Sequence, residues 1–347
     1  TFDNPQADGV MHDGIRIFKM CRPDGGLPLL RFFHPRWTSL AGAMRRAGAD
    51  VYYQQNAGTE TGQIALWCKR NGRRFILAAA SDSDCDPGLR YLETRRERMF
   101  YRYALRHAAV VIAQTQNQVE MFKDGIGIDT TLIRSCSADP IEGAGLERSE
   151  PPPGRPRLLW VGRFATEKRP EVLLDLADVC PGYDFDLVGD STVASDYADA
   201  IRDRASQCDN VTVHGRVPHD EMGRYYERAT ALLCTSSWEG YPNTFMEAWA
   251  RGVPTVSTVD PDLVVSANLL GGVGHDVAQL KTIIDGLVQS SQEWRNCSGR
   301  ARRFFVDHHT IDATVNAYEA LFVDMFSSTD GVRACPSARA VPTREAI

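Results

Sequence analysis

Glu239 and Glu247 bracket the segment Gly240-Tyr241-Pro242-Asn243-Thr244-Phe245-Met246. An apolar run, 231–234, and a small polar turn, Thr235-Ser236-Ser237, come before it; Gly252 and Pro254 come after. That order reads as strand, loop and helix, with Asn243 as N-cap and Gly252 and Pro254 as stop signals. Glu239 is then expected on a loop above a strand end, and Glu247 about one turn into the helix. The first-turn N–H groups, around residues 243–245, have no intrahelical partner and together with the helix dipole suit a phosphate. Carboxylates beside a phosphate accept hydrogen bonds from sugar hydroxyls, so a pair suggests one for a ribose and one for a second sugar. The plainer account is two acids favourably placed at a helix start, stabilising by roughly 0.3–1 kcal/mol each.

A second cluster, Leu158-Leu159-Trp160-Val161-Gly162-Arg163-Phe164-Ala165-Thr166-Glu167-Lys168-Arg169-Pro170, is an apolar strand that ends at Gly162 and runs into a helix opened by Pro170. Arg163 and Lys168 bracket the intervening loop. Two cations at such a turn suit a diphosphate, Arg as a bidentate clamp and Lys as a point charge. The plainer account makes both of them surface charges.

Together these two motifs resemble the retaining, nucleotide-sugar-dependent glycosyltransferases of family 4, whose fold is GT-B: α/β, two Rossmann-like domains facing across a cleft. The likeness runs over about residues 157–326; the front half is similar only in organisation. The resemblance implies that Arg163 and Lys168 hold the donor diphosphate and that Glu239 contacts hydroxyls of the transferred sugar, these three being the catalytic candidates. It places Gly162, Tyr241, Pro242, Asn243 and Thr244 around the donor, the last two through their backbone. Glu247 holds the ribose, and the turn Gly215-Arg216-Val217 sits by the base. No metal or other cofactor is required, because the two cations can take a metal's place. Three departures stand out. The usual Gly-x-Gly reads Gly189-Asp190-Ser191. A first-domain histidine at a strand end is replaced by Ala80-Ser81-Asp82, so Ser81 or Asp82, with Asn56 after an earlier strand, are the acceptor-side candidates. The family's opening strand and glycine-rich loop are not found, and residues 1–3 read as the end of a second strand, so about 30–50 residues are expected upstream.

The elements that must position these residues alternate. Strands are expected at 15–20, 50–54, 75–80 and 110–113, with helices at 37–47, 61–70, 89–106 and 117–123 between them. Behind the Pro/Gly-rich stretch 143–157, strands are expected at 157–161, 184–188, 211–214, 231–234 and 255–257. Helices there are expected at 170–177, 196–206, 220–229, 243–250, 277–290, 291–305 and 312–326. Alternation implies parallel sheets covered by helices, with ligands bound outside the carboxyl ends of the strands. The expected domains are 1–145, a linker 146–156, and 157–310. A helix at 311–328 is expected to pack back towards the first domain, before a polar tail at 329–347.

The 347 residues carry a net charge of −6, which argues against general nucleic-acid binding. The split is uneven, +2 over residues 1–150 and −8 over the rest. Nine scattered cysteines without a C-x-x-C pair read as reduced thiols, and the expected location is cytoplasmic, at most peripheral to the inner membrane face. The helix expected at 89–106 holds six arginines, with Leu92, Met99 and Tyr103 as the stripe for the core; its charged face is either simply solvated or docks on anionic lipid. Asp82-Ser83-Asp84-Cys85-Asp86 has carboxylates at alternate positions, but Pro87 stands where a calcium loop needs glycine. The expected activity is therefore sugar transfer from a nucleoside diphosphate sugar to a hydroxyl of a glycan, glycolipid or small molecule. The alternatives are a nucleotide-sugar epimerase or hydrolase of the same fold, or a non-catalytic nucleotide-sugar-binding protein.

Overall fold

The computed structural model describes residues 8–21, 26, 32–141, 148, 150–191 and 195–327. The expected polar tail and the segment 1–3 lie outside them. The chain forms two compact units, one of Thr1–Ala113 and Gln118–Thr131, the other of Gln114–Asn117 and Leu132–Ile347.

In the first unit, β1 (Val10–His12) and β2 (Ile15–Ile17) form an antiparallel hairpin around Asp13-Gly14. The segment expected as a parallel strand at 15–20 is therefore half of a hairpin, because two consecutive residues with positive φ reverse the chain. Then come α1 (Thr38–Ala47), β3 (Val51–Gln55), α2 (Thr59–Arg70), β4 (Arg74–Ala78), α3 (Arg95–His107), β5 (Val110–Ala113), α4 (Gln116–Glu120) and β6 (Thr131–Leu132). The sheet order is β3-β4-β5-β6, with β3, β4 and β5 parallel. Helix α3 starts six residues later than expected. Thr94 caps it: its Oγ1 accepts from the Glu97 N–H at 3.1 Å, and Glu97 Oε2 accepts from the Thr94 N–H at 3.0 Å. The buried face differs in part from the expected stripe, of which Leu92 and Tyr103 do pack against the core. Tyr101, Ala104 and Leu105 enter the core, while Met99, expected there, is 61% exposed.

The second unit holds β7 (Arg157–Val161), α5 (Pro170–Val179), β8 (Asp184–Val188), α6 (Asp196–Ala205), β9 (Val211–Gly215), α7 (Gly223–Arg228), β10 (Ala231–Cys234), α8 (Asn243–Trp249), β11 (Thr255–Ser257), α9 (Val264–Ala267), β12 (Gly271–Val273), α10 (Val277–Gln289), α11 (Ser291–His308) and α12 (Ile311–Ser327). Its six strands are all parallel, in the order β12-β11-β10-β7-β8-β9. Each face of the sheet carries a core. Leu158, Trp160, Phe185 and Leu187 pack on one side with Leu173, Leu176 and Trp294; Leu159, Val188 and Leu232 pack on the other with Tyr226, Phe245 and Trp249. Strand β12 escapes sequence reading because it is Gly-Gly-Val, with no apolar run. A Cβ at Gly271 would lie 2.0 Å from the Thr255 carbonyl oxygen, so only glycine lets the strand pair there.

Residues 132–141 belong with the second unit, not with the first as the expected boundary at 145 had it. Arg302 grips both Asp139 carboxylate oxygens, at 2.9 and 2.8 Å, and buried His309 meets the Ser135 carbonyl at 2.8 Å. Gln116 and Asn117 are tied in likewise, their N–H groups donating to the Asp262 carboxylate.

Candidate functional site

Strand order places the site. Sequence runs outward from β7 through β8 to β9, then returns to β10 on the other side of β7. The junction of β7 and β10 is thus a topological switch point, where the loops leaving the carboxyl ends part and open a crevice. The loop after β7 carries Arg163 and Lys168, and the loop after β10 carries Glu239. The two sequence motifs, 71 positions apart, meet there.

Glycines line the adjoining strand ends. The Gly162 N–H donates to the Val188 carbonyl at 3.0 Å, and the Gly189 N–H to the Gly215 carbonyl at 2.8 Å. Gly189 has φ +131°, and a Cβ there would lie 1.8 Å from the Gly162 carbonyl oxygen. The departure Gly189-Asp190-Ser191 therefore keeps the glycine that matters for closing the strand ends. Asp190 is pinned by Arg202, with a further bond from the Ser191 N–H at 2.7 Å, and both hold its carboxyl below the usual range.

Lys168 Nζ forms an ion pair with Glu239 Oε1, to which the Ser236 hydroxyl also donates at 2.6 Å. Both side chains are mostly buried, Lys168 25% and Glu239 15% exposed. The loop bearing Lys168 is knotted to β10 through Thr235. Its hydroxyl contacts the Lys168 and Arg169 carbonyls, each at 2.8 Å, and accepts from Trp160 Nε1 at 2.8 Å. Arg169 Nε donates back to the Thr235 carbonyl at 2.8 Å. Thr235, Ser236 and Arg169 join the candidate site only through the fold; their sequence signal is the small polar turn itself. Arg163 points outward and pairs with Glu167 at 2.9 Å.

Glu247 lies on α8, 17% exposed, and its Oε2 accepts from the Tyr226 hydroxyl at 2.6 Å. Its other oxygen lies 4.0 Å from His219 Nδ1. The expected cap differs: Pro242, with its ring-fixed φ of −65° and an extended ψ, takes the N-cap place, and Asn243 is the exposed first helical residue. Thr244 follows it, half-buried. Tyr241 turns inward, its hydroxyl bonded to His309 Nε2 at 2.7 Å, so its side chain anchors the loop. Gly215 turns the chain at φ +64°, and Val217 packs against the core beside it. His214 bonds buried Asp186 at 2.6 Å, in keeping with a structural histidine.

The acceptor-side candidates lie in the first unit. Asn56 follows β3 with φ +86° and an exposed side chain. Ser81 and Asp82 follow β4; the Ser81 hydroxyl meets that of Ser83 at 2.6 Å, and Asp82 accepts from Gln118 at 3.1 Å. The organising group is Asp84, which accepts N–H bonds from Ala57, Ala80 and Ser81. Burial pushes its carboxyl up while those three bonds pull it down. Asp82, Asp84 and Asp86 have separate partners, and among the described residues no group of three His, Cys, Asp or Glu is placed to hold a metal.

Residues 155–287 match the family model described as glycosyl transferases group 1. The chain is 25% identical over 249 residues to 2-deoxystreptamine N-acetyl-D-glucosaminyltransferase of Streptomyces fradiae, covering 63% of this chain and 56% of that protein. It spans about half the length of the curated relatives it matches. Among solved structures, the sucrose-phosphate synthase of Thermosynechococcus elongatus superposes with a TM-score of 0.73 at 16% identity, over 94% of this chain and 88% of that one. HepE of Anabaena, in complex with UDP-glucose, superposes with a TM-score of 0.68 at 16% identity, over 87% and 84%. The fold is α/β of the GT-B type.

Proposed function

We propose that the chain is a glycosyltransferase that moves a sugar from a nucleoside diphosphate sugar to an acceptor hydroxyl with retention at the anomeric carbon, as the family 4 enzymes do. The observation that carries this reading is the ion pair of Lys168 and Glu239 at the switch point of the second sheet, with Glu247 on the helix that follows the Glu239 loop, on the strand ends where a nucleotide binds such a fold. The matched relative is named for N-acetylglucosaminyl transfer, and HepE is described with UDP-glucose. In the reaction the bond from the anomeric carbon to the diphosphate oxygen breaks and a bond to the acceptor oxygen forms on the same face. The acceptor proton goes to the leaving phosphate oxygen. Lys168 and Arg163 stabilise the charge that grows on the diphosphate, which leaves no step needing a metal or other cofactor. Glu239 meets hydroxyls of the transferred sugar, and Glu247 holds the ribose. An epimerase or hydrolase is less well supported, because Asp84 of the first unit is taken up by three backbone N–H groups.

A thermal-shift screen of UDP-, GDP- and ADP-sugars tests the donor. A ligand at 100 times its dissociation constant adds about 2.7 kcal/mol. Coupling constants of the product's anomeric proton then report retention. No shift with any donor sinks the reading, and an inverted product sinks its stereochemical part.

One surface supports peripheral contact with anionic lipid. Arg95, Met99, Arg102 and Arg106 form an exposed stripe on α3, an apolar tip among cations. Among the described residues no helix is long and apolar enough to cross a membrane.

A further inference from the structure

Tyr226 lies on α7, fully buried, yet its hydroxyl reaches the Glu247 carboxylate of α8 at 2.6 Å. Burial and the neighbouring carboxylate push the phenol far above its ordinary range, so it stays a proton donor at any working pH. The Arg251 guanidinium lies over the Tyr226 ring, 5.6 Å from its centre, and donates to the Glu247 carbonyl at 3.3 Å. The carboxylate is thus gripped at Oε2 from within the core, and Oε1 is left on the side of the exposed His219. A glutamate free to rotate loses rotamer entropy when it captures a diol; one already held by a buried donor does not.

We infer that Tyr226 is a positioning residue that aims Glu247 at the ribose hydroxyls and thereby sets the preference of the site for ribonucleotides over deoxynucleotides. This rests on the reading of Glu247 as the ribose holder.

The test is isothermal titration of the full chain and of Tyr226→Phe with UDP, GDP and ADP and with their 2′,3′-dideoxy counterparts. For the nucleotide bound best, the wild type should favour the ribo form by about tenfold. In Tyr226→Phe that preference should fall by about threefold or more, with dideoxy affinity held within about twofold. Equal losses for ribo and dideoxy forms overturn the inference and make Tyr226 structural only. Equal binding of the two forms by the wild type overturns the ribose reading itself, and so does no binding of any of the three nucleotides. A second arm adds Glu247→Gln. Because Tyr226 acts through Glu247, the double variant should bind ribonucleotide no worse than Glu247→Gln alone, and additive losses contradict the inference.

Discussion

At the carboxyl edge of the first unit's sheet, Asp84 is 3% exposed and accepts from three backbone N–H groups. At the corresponding edge of the second, Glu239 and Glu247 are 15% and 17% exposed, and their partners are side chains: Lys168 and Ser236 for one, Tyr226 for the other. Backbone donors fix a loop and fill most of the carboxylate's acceptor sites. Side-chain donors aim it and leave lone pairs for a ligand, since an ionised carboxyl has about four acceptor sites. On the proposed function, the partners of the carboxylates near these strand ends separate one that holds the framework from two that would meet a ligand.

The comparison breaks first if the second edge tolerates a widened strand end. In Gly189→Ala the new Cβ would meet the Gly162 carbonyl at 1.8 Å. We expect a loss of about 3–5 kcal/mol from overpacking and backbone strain, read by denaturant melting, together with loss of nucleotide binding. Wild-type stability would show that the strand ends are not closed as described.

The second edge is also anchored by His309, whose imidazole burial drives down to about 4. The folded-state pKa lies below the unfolded one, so the unfolded chain takes the proton first. The contribution is complete above about pH 6.5 and is lost as pH falls towards 4, about 3 kcal/mol across that window. The melting-temperature gap between wild type and His309→Gln should therefore narrow on acidification; a constant gap contradicts the buried neutral pairing with Tyr241.

For the first edge, Asp84→Asn should cost about 1–3 kcal/mol of stability through mismatched backbone donors. Nucleotide affinity should stay within about twofold of wild type. A large affinity loss would erase the distinction between the edges. The smallest expected effect is at the surface: each of Arg95→Gln, Arg102→Gln and Arg106→Gln should weaken binding to vesicles rich in anionic lipid by about 1 kcal/mol, with phosphatidylcholine vesicles as control. No sedimentation of the wild type with anionic vesicles removes that proposal.

Much of the second unit was legible because most of its strands carry short apolar stretches between helical segments. Segments 157–161, 184–188, 231–234 and 255–257 are strands over the residues expected. In the candidate site, chemistry and spacing singled out Lys168 and Glu239, which the fold brings into contact across 71 positions, whereas Arg163 of the same turn pairs outward with Glu167. What stayed hidden depends on tertiary pairing. Nothing local marks Tyr226 as the partner of Glu247 21 positions on, or Thr235 as the knot on the Lys168 loop. Of the stripe expected on the helix at 89–106, Leu92 and Tyr103 pack against the core while Met99 is exposed, because the face set by Tyr101, Ala104 and Leu105 is the one that meets the sheet. The hairpin at 10–17 was missed because strands this short carry no alternation to read.

The most direct test of the proposed chemistry is steady-state kinetics of Glu239→Gln beside Glu247→Gln, with the donor found by screening. On the proposed reading Glu239 sits where the transferred sugar's bonds reorganise, so its loss should lower kcat by about 10²–10³. On the same proposal Glu247 holds the ribose in ground and transition states alike, so its loss should raise the donor KM with a smaller change in kcat. A larger turnover defect in Glu247→Gln, or a pure KM effect in both, would contradict the assignment of the two carboxylates.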